Sequence, residues 1–206
     1  MWCRVPLIVG LTMLVTGCTS FVHGVTTPTL PVPLVQTIPL TVGVHYTPQF
    51  RDAQPAARRF VAGSEIVDVY QLGAPSVAVF DAALRQVFEN VIEVTSWPPS
   101  DEPLKVAGVL IPAIPPNGVT VYLGQPRIAV EYRIGLYSSS GGEIGSWRVV
   151  GISGGFAGEM PALTTIPVWV SEALRSAAAG VVASFFREPQ ARAWLEANGV
   201  HPDALR

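Results

Sequence analysis

Cysteine, histidine and charge are all scarce in this chain, and each scarcity excludes a kind of chemistry. Two cysteines and three histidines occur in 206 residues. His23, His45 and His201 are scattered, without the i, i+4 spacing or the His-Glu-x-x-His context of a zinc site, so no metal site is indicated. Charged residues make up only 14% of the chain, and 13 basic stand against 15 acidic, which leaves no basic footprint for nucleic acid. Neither G-x-x-x-x-G-K-[ST] nor G-x-G-x-x-G is present, and no cofactor is indicated. No internal repeat is visible.

What is present begins at the N-terminus. Arg4 and the terminal amine precede an apolar run over residues 5–15, which is shorter than the roughly 20 residues a membrane-spanning helix needs. The run ends in Leu14-Val15-Thr16-Gly17-Cys18, and a polar, proline-containing segment follows at once. That is the anatomy of an export signal covering residues 1–17. An ordinary secretory signal with an incidental cysteine is the alternative. The stretch resembles the lipobox of bacterial lipoproteins, and that resemblance implies a diacylglyceryl thioether on Cys18. The lipoprotein family carries three acyl chains there. One chain alone holds only marginally, so three imply a lasting membrane anchor. In that family an Asp after the Cys is the usual signal for inner-membrane retention. Thr19 stands there instead, implying the outer membrane, facing the periplasm.

Removing 17 of the 206 residues leaves 189, enough for one globular domain. Cys3 leaves with the signal and Cys18 is spoken for, so the mature domain has no disulfide, no Cys-ligated metal and no thiol nucleophile. Its formal charge is −3, from 12 basic and 15 acidic residues. Stability must come from burial.

Residues 18–37 carry Pro28, Pro31 and Pro33 and no charge, which predicts a semi-rigid tether. An ordered arm lying across the domain is the rival, because Leu30, Val32, Leu34 and Val35 are apolar for a solvated linker. The domain proper is expected over residues 38–206. Leu40, Val42, Val44 and Tyr46 alternate with polar or small residues, which predicts a strand. Residues 65–72 predict another, with the pattern broken between the two. Val77, Phe80, Leu84, Val87, Phe88 and Val91 form a helical stripe, with Ser76 as the expected cap after Pro75. Strand-like runs follow at 91–97 and 106–114, the second placed centrally with Pro112 marking where pairing fails.

A hairpin comes next. Ile128, Val130, Tyr132, Ile134 and Leu136 share one face, and Glu131, Arg133 and Tyr137 the other. With a turn at 138–142, Trp147 and Val149 fall beside Tyr132 and Ile134, while Arg148 joins Glu131 and Arg133. A glycine-rich loop leads into a helix from about Pro167, with Val170, Leu174, Ala177, Ala178, Val181 and Phe185 inward. The small residues of 177–180 would let it lie close to a neighbour. Past Pro189, a short amphipathic segment ends at Asn198-Gly199. The expected fold is α+β, a mostly antiparallel sheet with both main helices on one face.

Catalytic constellations are weak. Gly151-Ile152-Ser153-Gly154-Gly155 matches G-x-S-x-G, but a nucleophile elbow needs a helix opening at the Ser and a later His with an acid between. The only later His is His201, so a flexible loop is the simpler reading, and a periplasmic serine hydrolase using Ser153 is kept as the alternative function. Glu65 with Asp68, and Asp101 with Glu102, read as solvated surface, and His45 as a solvent-facing residue.

The run Tyr132-Arg133-Ile134-Gly135-Leu136-Tyr137, the turn through Gly142, Trp147 and Gly151, and the ending from Ala173-Leu174-Arg175-Ser176 to Pro189 and Trp194-Leu195 resemble a group of uncharacterised proteobacterial lipoproteins. The layout is also similar to small α+β envelope lipoproteins, such as the lipopolysaccharide-assembly lipoprotein and auxiliary lipoproteins of ABC-type lipid transport. Those act by holding a partner protein. The resemblance implies a non-enzymatic accessory or scaffold in envelope assembly or lipid transport, with an envelope protein as partner. Glu131, Arg133, Tyr137 and Arg148, on the sheet face expected to lack helices, are the candidate partner-binding residues.

Overall fold

The computed structural model describes residues 19–31, 36–61, 64–100, 102–122, 127–154 and 165–205. Cys18 and the expected export signal lie outside the described residues, as do Val32, Leu34 and Val35.

The hairpin of β8 (Arg127–Tyr137) and β9 (Glu143–Ile152) takes the register that its alternation demands. Tyr132 pairs with Val149, Ile134 with Trp147 and Arg133 with Arg148. Ile128, Val130, Tyr132, Ile134 and Leu136 are all buried. A one-residue slip would exchange them for Glu131 and Arg133, at the cost of burying charge. Of the two turn glycines, only Gly141 has a positive φ, 98°. Gly142 instead donates its N–H to Ser138 Oγ at 3.0 Å.

Around the hairpin the main sheet is completed by β2 (Ile38–Val44), β5 (Phe88–Glu93), β6 (Val109–Ala113) and β7 (Val119–Tyr122). The order is β5-β2-β6-β8, with β7 also on β8 and β9 along the other side of β8. β6 and β7 share one side of β8, pairing with residues 133–137 and 127–130 respectively. The fold is α+β, as expected, and its sheets are mixed rather than purely antiparallel: β6, β7 and β9 pair antiparallel with β8, while β2 runs parallel to both β5 and β6. The cause is the long crossover through a small sheet and a helix between β2 and β5, which returns the chain in the starting direction. Pro112 does mark a boundary. β2 pairs with β6 only at Val109 and Leu110, while Pro112, which has no N–H to offer, is paired on the other side with Ile134.

α1 (Pro48–Arg51) and β3 (Ala56–Val61) occupy the stretch where no element is legible in the sequence. β3 pairs antiparallel with β4 (Ser64–Gln71), and β1 (Thr19–Gly24) pairs parallel with β4 on its other side. Residues 19–31 thus follow the ordered-arm alternative rather than the tether. After β1, Val25 and Leu30 pack against the core, and Arg175 Nε donates to Thr29 O at 3.1 Å. The reason is local: Phe21 and His23 alternate with exposed Val22 ahead of the prolines, so the segment can pair before proline stops it.

α2 (Gly73–Val87) starts three residues before the expected cap. Ser76 is buried inside the helix, 2.8 Å from Tyr132 OH, and Pro75 sits in the first turn, where a missing N–H costs nothing. A Cβ on Gly73 would lie 1.8 Å from Arg51 O, so only glycine fits there. The helix stops at Val87, and Phe88 is already extended. α3 (Ile166–Ser184) buries the expected stripe from Val170 to Val181, and Phe185 follows it inward. By length and hydropathy alone it could cross a membrane, yet that stripe packs on β8 and β9 as a core helix does. α4 (Pro189–Ala197) ends in a Schellman motif, with Gly199 at φ 77°, Gly199 N bonded to Glu196 O and Val200 N to Leu195 O, both at 3.0 Å.

α2 and α3 both pack on the inner face of the main sheet. Phe80 of α2 meets Tyr132 edge-on at 5.0 Å, and Phe185 meets Trp147 at 5.9 Å and Phe88 at 5.0 Å. These rings anchor the two ends of one core.

Candidate functional site

Strand parity brings three of the four expected partner-binding residues together. Glu131 and Arg133 of β8 and Arg148 of β9 point away from the helices. Arg148 stands 3.4 Å and Arg133 4.0 Å from the two Glu131 carboxylate oxygens. Both guanidinium groups are largely exposed, so these pairs orient side chains and add little stability, about 0–1 kcal/mol each. Tyr137 shares the face but not the cluster. Its ring lies back over Gly135, where a Cβ would come within 2.7 Å of it, and Trp97 meets it edge-on at 5.6 Å. Tyr137 is therefore half covered by the chain that follows β5.

Ser153 directly follows β9, and its hydroxyl is engaged. Ile128 N donates to Ser153 Oγ and Ser153 N donates to Ile128 O, each at 2.9 Å, and the residue is buried. Both bonds close the last rung of the β8–β9 ladder. This is the geometry of a strand-end clasp, and it does not present the oxygen to a substrate. Residues 155–164, which would complete an elbow, lie outside the described residues.

A buried polar cluster joins residues that lie far apart in the sequence. Asp68, expected on the surface with Glu65, has no exposed area. Its Oδ1 accepts from His23 Nε2 at 2.8 Å and its Oδ2 from Arg59 Nε at 2.5 Å. Asp68 shares the inward parity of Ile66 and Tyr70, whereas Glu65 lies on the opposite face, half-buried and bonded to Arg58 at 2.9 Å. His23, expected in the tether, comes from β1 and stacks on Tyr70 at 5.2 Å. For Asp68 the signal was available: in Ile66, Asp68 and Tyr70, period-two alternation puts one charge among inward residues. Burial pushes the Tyr70 phenol well above its ordinary pKa, and the Asp68 carboxylate adds to the shift, so the ring stays neutral beside the ions. The cluster links the three strands of the small sheet and holds β1 in place.

His45 is half-buried rather than solvent-facing, and its Nδ1 donates to Val94 O at 2.7 Å. His201 is exposed near the C-terminus. Among the described residues, no group of three or more His, Cys, Asp or Glu side chains is placed to hold a metal ion.

Compared with protein-family models, with curated proteins and with solved structures, the chain matches none.

Proposed function

We propose that this chain is a bacterial lipoprotein, anchored through acylated Cys18 in the outer membrane and facing the periplasm. There it serves as a non-enzymatic accessory that holds an envelope protein in assembly or lipid transport. The observation that carries this reading is the placement of the residues that follow Cys18. β1 begins at Thr19, directly after the lipobox cysteine, and the His23–Asp68–Arg59 cluster ties it to the domain. An anchor at Cys18 would thus hold the whole domain against the membrane, and would not let it hang on a spacer. Support also comes from the open face carrying Glu131, Arg133 and Arg148, where mixed charge on a rigid sheet suits a polar protein interface.

The test is photo-cross-linking in the native envelope, with photoreactive residues at Arg133, Arg148 and, as a control, Arg175 on α3. Adducts to one protein through positions 133 and 148 but not 175 are the expected result. Equal adducts at all three positions, or adducts at 175 alone, would remove the sheet face as the partner site.

A further inference from the structure

The small sheet has a second face, on which exposed apolar side chains stand among Ser20, Arg58, Glu65 and Gln71. Residues paired across strands share a face, so Val22 of β1, Val69 of β4 and Ala56 of β3 form one outward row. Ser20, Val67 and Arg58 form the next, and Glu65 with Phe60 the last. Val22 is 62% and Phe60 68% exposed, the two most exposed large apolar side chains among the described residues, and Val67 and Val69 between them are half-exposed. Arg58 and Glu65 are the charges on this face, and they neutralise each other at 2.9 Å. Exposed valine and phenylalanine on adjacent strands, with no net charge, make a surface that water solvates poorly.

Its position names the occupant. β1 enters the sheet at Thr19, whose row continues through Ile66 to Arg59, and Phe60 sits one row further toward the end at which the chain enters. With strands about 4.8 Å apart, Phe60 lies on the order of 10 Å across the sheet from the residue that follows Cys18. We infer that this outward face of β1-β4-β3 lies on the lipid bilayer that carries the anchor, with Val22 and Phe60 entering its interfacial layer. The inference rests on the anchoring reading above. A patch this small would bind free lipid weakly. Tethered at Cys18, it meets the membrane at a high effective concentration and needs little affinity of its own. The contact would fix the domain's tilt and turn the opposite parts of the molecule toward the periplasm. β3 lies beside β7, so the small sheet sits at the end of β8 remote from the hairpin turn, and Ile144, next to that turn, is a far control.

The test uses the full lipidated protein reconstituted in phosphatidylethanolamine and phosphatidylglycerol vesicles. Val22→Cys, Phe60→Cys and Ile144→Cys each carry an environment-sensitive fluorophore, since Cys18 is acylated in the mature chain. Flotation first reports whether the protein is held by the vesicles. The expected result is flotation of all three, with quenching by spin-labelled lipid at least threefold greater at positions 22 and 60 than at 144, and with iodide acting in the reverse order. If the protein floats and positions 22 and 60 respond as 144 does, the bilayer contact is wrong while the anchor stands. Shielding of 22 and 60 from both quenchers also overturns it, since a protein would then cover the face. Failure to float removes the anchor and this inference together.

Discussion

A carboxylate with no exposed surface persists only where its charge is answered, and Asp68 is answered twice, by His23 and Arg59. Removing it would leave a mostly buried guanidinium and a buried imidazole without their acceptor. Asp68→Ala should therefore cost about 3–5 kcal/mol in urea unfolding, whereas replacing the set together, as Asp68→Leu with Arg59→Met and His23→Phe, should restore most of that loss. A cost under about 1 kcal/mol for the single change would mean that the cluster is not a buried ionic unit. The sequence holds these residues but hides their meeting, because His23 and Asp68 are 45 positions apart and join through a parallel strand pair. The parity of Asp68 was readable, whereas its partners were not. Ser76 misleads for a related reason: its composition suits a cap, but its hydroxyl answers Tyr132 OH in the core.

At the scale of elements, α3 and β9 meet at a tight joint. A Cβ on Gly151 would lie 2.0 Å from Ala173 O and 2.4 Å from Ala177 N, both backbone atoms of a packed helix. Neither can yield without shifting α3. Gly151→Ala is expected to destabilise by about 3 kcal/mol, at the upper end for overpacking. Gly154→Ala, whose nearest neighbour among the described residues is the Glu172 carboxylate at 3.8 Å, should stay within about 0.5 kcal/mol. Equal effects at the two positions in urea unfolding would contradict the close contact. The small-residue run 177–180 foretells a helix lying close to something, and the β8–β9 register follows from alternation alone, since both signals are local. β3 is not legible in this way. Arg58 and Arg59 interrupt its apolar pattern, and only Glu65 and Asp68 on the neighbouring strand make those charges tolerable.

For the molecule as a whole, local signals give the element types but not the strand order. Parallel pairing of β1 with β4, and of β2 with β5 and β6, is decided by contacts far apart in sequence, so the antiparallel part of the sheet is legible from its hairpin while the parallel pairs are not. The same long-range pairing turns residues 19–24 of the expected tether into the first strand. A segment from Thr19 built into the fold, and polar groups engaged within it, suit a rigid body held at a membrane. Everything functional in this account hangs on Cys18, so its most direct test is the mass of the mature N-terminal peptide from protein purified out of bacterial membranes. The account predicts a chain beginning at Cys18 and carrying a diacylglyceryl thioether with a third, amide-linked acyl chain. It also predicts a Cys18→Ala protein that lacks all three and leaves the membrane fraction. A mature chain that begins elsewhere, or a Cys18 with a free thiol, would contradict it.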